Sequence, residues 1–176
     1  MRWTVHAEEP LYTDEWLDIR LADVEIPGGR RLSHRLIRTA PSAGAVVLDD
    51  RERVLLLWRH RFITGTWGSE IPMGRVNPGE EPLAAAARET EEETGWRPYG
   101  LRPLLEVRPT ADVSDSVHHV FIGERATRTG PPAEAFESER VDRVPLAEVP
   151  GLAGRGEITS GSTLAALLYV LTGAGR

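Results

Sequence analysis

The sequence of 176 residues contains no cysteine and no lysine. Without cysteine, the protein has no disulfide framework, no thiolate zinc site and no cysteine nucleophile. Without lysine, Schiff-base chemistry and the phosphate-binding P-loop are excluded, because both depend on that side chain. All 21 basic residues are therefore arginine, set against 27 acidic residues, and the formal net charge is −6. This acidic balance argues against a broad nucleic-acid-binding surface, which needs a basic face.

Long apolar runs are also missing. The longest, Leu164–Leu171, is far shorter than the roughly 20 residues that cross a membrane. The first ten residues carry charges and lack the apolar segment of a signal peptide. We therefore expect a cytoplasmic protein with neither a membrane nor a nucleic-acid partner, of a length that suits one folded core.

Apolar patterning predicts strands, then a helix, then strands and a closing helix. Pro82 suits a first helical turn and Gly95 suits the residue that ends it, so a helix is expected between them. Strands are predicted over 16–24, 31–39, 43–48, 54–58, 104–107, 117–122 and 141–144, helices over 145–152 and 162–171, and a loop over 127–132. The strands 43–48 and 54–58 are expected to pair as a hairpin across a polar turn. This order predicts a mixed α/β domain.

The end of the predicted helix is unusually acidic. Four acids precede Gly95, namely Glu89, Glu91, Glu92 and Glu93. Helical spacing places Glu89 on the same face as Glu92 and Glu93. Leu83, Ala87, Thr90 and Thr94 are expected to form the opposite, core-facing stripe. Like charges at this spacing, close to the negative end of the helix dipole, are unfavourable. A bound Mg²⁺ or Mn²⁺ ion would reverse that effect, since clustered oxygens suit these cations; the alternative interpretation is a solvated acidic face.

The acidic helix lies inside a longer pattern. Gly74 is followed after five residues by Glu80, and after seven more by the run from Arg88 to Gly95, which reads Arg-Glu-Thr-Glu-Glu-Glu-Thr-Gly. This pattern resembles the signature of the Nudix hydrolases. It departs from that signature only at Thr90, where a bulky aliphatic residue is usual.

The resemblance extends beyond this box to one subgroup. The segment 67–74 and the run Arg59-His60-Arg61 are similar to those of ADP-ribose pyrophosphatases and nucleoside-diphosphate-sugar hydrolases. The fold implied is a Nudix-type α/β/α sandwich with a mixed sheet, preceded by an N-terminal antiparallel strand extension. The implied division is an extension over residues 1–40 that forms part of a homodimer interface, and a Nudix domain over residues 41–176.

The activity implied by the resemblance is metal-dependent hydrolysis of a nucleoside diphosphate linked to another moiety. ADP-ribose or a nucleotide sugar is the favoured substrate, and a nucleoside monophosphate is released. Two alternatives stay open: a hydrolase that removes pyrophosphate from nucleoside triphosphates, and a non-catalytic ADP-ribose-binding sensor.

The resemblance also implies roles for individual residues. It makes Glu89, Glu92, Glu93 and the Met73 carbonyl ligands of Mg²⁺ or Mn²⁺, with Glu139 as a further ligand. The catalytic set implied is Arg88, Glu92, Glu93 and Glu137, and the structural positions of the box are Gly74, Glu80 and Gly95. Arg88 and Glu80 would orient the ligands.

Four further assignments concern a general base and substrate contacts, and three of them have alternatives. Glu137 is a candidate general base, with Glu134 a weaker one, or else part of an ordinary polar loop. Arg61 suits a diphosphate contact, or a surface ion pair. By resemblance Glu70 binds the base or ribose. Trp16 stacks on a nucleobase from a partner subunit, or is a core residue.

Overall fold

The computed structural model describes residues 2–133 and 136–173. Over these residues the chain forms twelve strands, three α-helices and one short 3-10 turn. The chain divides into two compact units, one made of residues 1–40 and 108–117 and the other of residues 41–107 and 118–176. Within the described part of the chain, no helix is both long and apolar enough to cross a membrane.

The first unit is a three-stranded antiparallel sheet in the order β1-β2-β3. Its strands are β1 (Thr4–Thr13), β2 (Asp18–Glu25) and β3 (Arg31–Arg38). The sequence pattern predicted the second and third strands but not the first. Strand β1 is an edge strand whose residues are almost all exposed, so it lacks the alternation of apolar and polar residues on which strand prediction depends.

Trp16 lies outside the strands, which corrects the prediction that the second strand begins there. The Asp14 carboxylate accepts hydrogen bonds from the backbone N–H groups of Trp16 and Leu17, at 2.8 and 2.7 Å, and so holds a turn. Strand β2 begins only at Asp18. Trp16 is 69% exposed, so its interpretation as a core residue is wrong.

The second unit contains the remaining elements. In chain order these are β4 (Ser42–Val47), β5 (Arg53–Arg61), β6 (Thr66–Glu70), β7 (Met73–Arg75), α1 (Pro82–Thr94), β8 (Trp96–Tyr99), β9 (Arg102–Val107), β10 (His118–Gly123), β11 (Arg125–Arg128), β12 (Arg140–Pro145), a 3-10 turn (Leu146–Glu148), α2 (Val149–Gly154) and α3 (Gly161–Leu171). The strands form sheets in the orders β7-β4-β10-β9, β12-β5-β6 and β11-β8.

The first of these sheets is mixed and buried on both faces. Strand β10 pairs in parallel with β4 and antiparallel with β9. Along β4, Val46 joins a core cluster that includes residues of α2 and α3, whereas Ala43 packs with Ala85 and Ala86 of α1. Helices therefore cover both faces, and the predicted mixed α/β sandwich is confirmed.

The predicted hairpin of β4 and β5 is wrong. A turn does form at 49–52, where the Asp49 N–H donates to the Arg53 carbonyl at 3.0 Å, but only the isolated bridge Leu48–Val54 joins the two segments. Strand β4 pairs instead with β10 and β7, and β5 pairs with β12 and β6. Both strands are buried on both faces, so an apolar run could not show which neighbours each strand would take.

Helix α1 confirms the predicted span, and of the predicted buried stripe it confirms Thr90 and Thr94 but not Leu83. It ends where Gly95 adopts φ +73°, a left-handed cap whose N–H donates to the Glu91 carbonyl. The buried positions are Ala85, Ala86, Glu89, Thr90, Glu93 and Thr94. Leu83, expected in the core, is 43% exposed. The acidic positions 89 and 93 thus belong to the inward face, which apolarity alone could not reveal.

The other predicted elements were largely confirmed. Strand β12 and helix α3 lie where expected. The predicted loop 127–132 begins two residues later, because Thr127 and Arg128 complete β11 in its pairing with β8. The predicted helix over 145–152 is divided into the 3-10 turn and α2.

Candidate active site

The site is built where β7 meets the inward face of α1. Gly74 makes this approach possible, because a Cβ at that position would overlap the carboxylate of Glu89. Glu89 is nearly buried, with its side chain 12% exposed. The glycine of the box therefore serves close packing of a carboxylate against the β7 backbone.

Arg88 connects three of the box carboxylates. Its Nη1 donates to Glu89 at 2.7 Å and to Glu92 at 2.8 Å, and its Nε donates to Glu80 at 2.9 Å. A further bond from Nη2 reaches the Arg75 carbonyl at 3.0 Å. The Arg88 guanidinium and the N–H of Asn77 lower the pKa of Glu80 to about 2. Arg88 and Glu80 therefore connect the turn before α1 with the acidic face of the helix.

Glu93 is the most buried acid of the site, with its side chain 2% exposed. One carboxylate oxygen accepts from Arg59 Nη2 at 2.5 Å, and the other accepts from the Met73 N–H at 2.9 Å. Burial raises the pKa of Glu93 to about 7, although Arg59 and Met73 both favour the ionised form. The bond from Met73 involves its N–H group, whereas the predicted ligand is its carbonyl.

The two described loop acids, Glu137 and Glu139, lie next to strand β5. Arg59 Nη1 is 3.6 Å from a carboxylate oxygen of Glu137, which is 36% exposed. Glu139 is exposed, and its backbone N–H donates to the Trp58 carbonyl at 2.9 Å. Glu134 lies outside the described residues. Glu137 is therefore the loop acid tied most directly to the box.

The two predicted substrate contacts of β5 and β6 bind one another. Arg61 donates to Glu70 through Nε at 3.1 Å and through Nη2 at 2.5 Å. The Glu70 side chain is 7% exposed and that of Arg61 is 49% exposed. Arg61 thus forms an ion pair with a neighbouring acid, which was its alternative interpretation, and about half of its side chain stays exposed.

The acidic cluster is compensated by arginine throughout. Arg88 binds Glu89 and Glu92, Arg59 binds Glu93, and Arg97 donates to Glu91 at 2.7 and 2.9 Å. The predicted repulsion between the carboxylates is thus offset by the chain's own cations. A lysine-free sequence makes every one of these partners a planar, permanently charged guanidinium.

The donor chemistry of the site fits a hard divalent cation. Glu89 and Glu92 share one guanidinium nitrogen, so their carboxylates are close enough to meet around a single small charge. Among the described residues, no group of three or more His, Cys, Asp or Glu side chains has the spacing to hold a metal ion. The third candidate, Glu93, faces Arg59 instead. Carboxylate oxygens are the ligands that Mg²⁺ and Mn²⁺ prefer. In this structure the positive charge beside them is supplied by arginine.

Arg59 is a site residue that the sequence analysis did not single out. A signal for it was present, because residues two apart in a strand share a face and Leu55 and Leu57 of β5 are fully buried. Arg59 continues this series and is 3% exposed. A charged residue in phase with buried leucines indicates a buried ion pair, which here is completed by Glu93.

Comparison with known proteins agrees with this geometry. Residues 38–167 match the model of the NUDIX domain. The chain is 40% identical over 171 residues to a CMP-5'-(N-acetyl-N-hydroxy-3-aminopropyl)phosphonate hydrolase of Streptomyces rubellomurinus, covering 97% of this chain and 83% of that protein. It is 26% identical over 166 residues to an ADP-ribose pyrophosphatase of Bacillus subtilis, covering 93% and 90%.

A solved structure described as an ADP compounds hydrolase superposes with a TM-score of 0.86, covering 100% of this chain and 97% of that one at 21% identity. At that identity the match speaks for the fold. The family match spans well over half of the chain and includes the complete acidic box. The chain therefore belongs to the Nudix family, and it is a Nudix hydrolase related to the ADP-ribose pyrophosphatases.

Proposed function

We propose that the protein hydrolyses the diphosphate bond of a nucleoside diphosphate linked to another moiety, with release of a nucleoside monophosphate. ADP-ribose or a nucleotide sugar is the favoured substrate, and Mg²⁺ or Mn²⁺ is the favoured cofactor. The observation that carries the proposal is the convergence of the box acids with Arg88 and Arg59 at the β7–α1 junction. Similarity to ADP-ribose pyrophosphatases over nearly the whole chain supports the substrate class.

A second candidate substrate is a CMP group joined to a phosphonate. The relative with 40% identity over 97% of this chain is named as a hydrolase of such a compound. The chemistry is closely related, because in both candidates water attacks phosphorus and a nucleoside monophosphate departs. The two substrates differ in the base and in the terminal group, and the box residues do not distinguish between them.

The proposed roles follow from where the acids lie. Glu89, Glu92 and Glu93 would hold the cation, together with the Met73 carbonyl and Glu139. A bound divalent cation supplies charge neutralisation for the diphosphate and acidifies water. Glu137 is the proposed general base, because it is partly exposed to water and lies 3.6 Å from Arg59, the partner of Glu93.

Substrate contacts are proposed for Arg61, Glu70 and Trp16. Glu70 fixes the direction of the Arg61 guanidinium through Nε and Nη2, and the half-exposed side chain leaves Nη1 outside that pair as a donor for phosphate oxygens. Trp16 is exposed enough to stack on a base bound by the other subunit of the proposed dimer. We also propose a cytoplasmic homodimer joined through the N-terminal strands, since β1 carries exposed Val5, Leu11 and Tyr12 on an unpaired edge.

The proposal is tested by a substrate panel with Mg²⁺ and with Mn²⁺. The panel contains ADP-ribose, nucleotide sugars, a CMP-phosphonate and nucleoside triphosphates, and the products are separated by chromatography. We expect a nucleoside monophosphate from at least one of the first three. Pyrophosphate from a triphosphate would favour the sanitising alternative, and tight ADP-ribose binding without turnover would favour a sensor.

The variant Glu93→Gln is assayed beside the wild type. It removes the charge but keeps the shape and an acceptor for Arg59, so we expect kcat to fall at least about a hundredfold. The matched control is Glu91→Gln on the same helix, whose partner is Arg97 rather than Arg88 or Arg59. Circular dichroism confirms that both variants fold; wild-type turnover by Glu93→Gln would remove this residue from the site.

A further inference from the structure

Arg59 occupies a chemically unusual position. It is 3% exposed, and its Nη2 binds Glu93 at 2.5 Å while Nη1 is 3.6 Å from Glu137. Its Nε is buried and has no hydrogen-bond partner among the described residues. A buried guanidinium with an unsatisfied nitrogen is costly. Its retention inside the site therefore calls for a compensating role.

The partners of Glu93 show what that role is. Both of its carboxylate oxygens are engaged, one by Arg59 and one by the Met73 N–H. A divalent cation at Glu93 would have to share or replace one of these donors. It would also lie close to a fixed positive charge, which opposes binding. Arg59 and the cation are consequently competitors for one carboxylate.

We infer that Arg59 is an internal counter-ion of Glu93 that takes the place of the divalent cation in the metal-free protein and so sets the affinity for metal. Without metal, its bond to one carboxylate oxygen holds the buried side chain in place. When metal arrives, the same charge weakens the binding, which keeps the ion exchangeable. Arg59 thus acts through Glu93 as a positioning residue. The inference rests on the metal dependence proposed above.

The other arginines of the cluster are directed at other acids. Arg88 binds Glu80, Glu89 and Glu92. Arg97 binds Glu91, and Arg61 is engaged by Glu70. The ion pair of Glu93 is made with Arg59. Removal of Arg59 should therefore affect the carboxylate that the metal needs and the 3.6 Å contact with Glu137, without disturbing the pairs of the other arginines.

The first test is the metal-free stability of Arg59→Gln in EDTA. Glutamine leaves Glu93 buried without its charge partner, so we expect the melting temperature to fall by about 5–15 °C. Glu93→Gln and the double variant complete a double-mutant cycle. If Arg59 acts through Glu93, its removal in the Glu93→Gln background costs less than half as much; an equal loss in both backgrounds contradicts the inference.

The second test is binding of Mn²⁺ alone, followed by calorimetry or by the electron paramagnetic resonance of the free ion. We expect Arg59→Gln to bind Mn²⁺ about tenfold more tightly than the wild type, because a competing positive charge is gone. Unchanged or weaker binding overturns the inference. If Arg59→Gln does not fold, Arg59→Lys replaces it. Because lysine keeps the positive charge, we expect its Mn²⁺ affinity to stay within about threefold of wild type. A tenfold gain in the affinity of Arg59→Lys overturns the inference.

Arg143→Gln is the matched control, since Arg143 is also a mostly buried arginine of the same sheet. It lies over Trp96 at 4.2 Å, and the acid 3.5 Å from it is Asp49, which is not one of the box acids. It makes the same change in net charge, and we expect Mn²⁺ affinity within about twofold of wild type. If the wild type binds no Mn²⁺, the proposed metal dependence fails, whereas the EDTA cycle still decides the counter-ion role.

Discussion

At the scale of single residues, the site depends on charge pairing in a restricted space. Glu93 and Glu89 are carboxylates on the inward face of α1, and each is paired with a guanidinium. Thr90, the departure from the usual box, is fully buried and donates its hydroxyl hydrogen to the Ala86 carbonyl at 2.6 Å. Its polar group is thus satisfied within the helix, and the substitution alters packing without adding a site group.

The Gly74→Ala variant tests the close approach of β7 to α1. Its Cβ would overlap the Glu89 carboxylate, so Glu89 has to move or the strand has to shift. We expect a loss of about 1–3 kcal/mol in the free energy of unfolding, measured with urea, and a fall in kcat of at least about tenfold.

The control for this variant is Gly161→Ala, which adds the same methyl group where no atom lies within 4 Å. It should stay within about 0.5 kcal/mol of wild type. If Gly74→Ala matches the control in stability and turnover, the packing of Glu89 against β7 does not constrain the site.

At the scale of elements, the C-terminal end of α1 is hydrogen-bonded to the segment that follows β11. The Thr129 N–H donates to the Gly95 carbonyl at 2.9 Å, and the Ala133 N–H donates to the Glu92 carbonyl at 2.8 Å. These bonds satisfy carbonyls at the negative end of the helix. The segment 129–133 therefore contacts the helix at two carbonyls of its last turn and cap.

We predict that Gly95→Ala is more damaging than an alanine at another left-handed glycine. At Gly95, φ is +73° and a Cβ would overlap the Gly130 carbonyl. The strain and the overlap together should lower the free energy of unfolding by about 2–4 kcal/mol in urea titrations.

Gly29→Ala is the comparison, since its φ is +84° but a Cβ there meets nothing within 4 Å. It reports the backbone strain alone, about 1–2 kcal/mol. Equal losses for the two variants would show that the 129–133 segment does not press on the helix cap.

At the scale of the whole molecule, the net charge of −6 does not show that the acids of the site are individually paired with arginines. A polar contact also joins strand β10 of the mixed sheet to helix α3. His118 of β10 bonds through Nδ1 to the Ser162 hydroxyl of α3 at 2.8 Å. Burial, together with the neighbouring His119, lowers the pKa of His118. The folded protein therefore resists protonation at this position.

This pKa predicts how stability depends on pH. Below about pH 6.5 the unfolded chain takes up a proton at His118 that the folded chain refuses, so stability falls as the pH falls. His118→Asn keeps a partner for Ser162 but cannot titrate, and we expect its stability to vary less between about pH 7 and pH 5.5. The difference in slope stays below about 1.4 kcal/mol per pH unit, the limit for one proton.

The measurement is urea unfolding of both proteins at several pH values, with His34→Asn of the other unit as the control. His34 bonds to the Asp112 carbonyl within its own unit. If His118→Asn and the wild type have parallel profiles, burial of His118 does not contribute to the pH dependence.

Several properties of this protein follow from the sequence because they depend on neighbours along the chain. The span of α1 follows from Pro82 and Gly95, whose backbone preferences act locally. The family follows from the spacing of Gly74, Glu80 and the acids of the helix. The lack of cysteine and lysine rules out thiolate ligands and leaves arginine as the permanently charged cation of any site.

Only the tertiary structure decided which carboxylates face inward and which arginines accompany them. Glu93 and Arg59 are 34 residues apart, and no local preference predicts that contact. Strands β4 and β5 adjoin in sequence but belong to different sheets, because strand pairing depends on which partners bury each face. The sequence therefore contains the charges of the site, whereas packing sets their pairing, since burial makes an unpaired charge far more costly than in water.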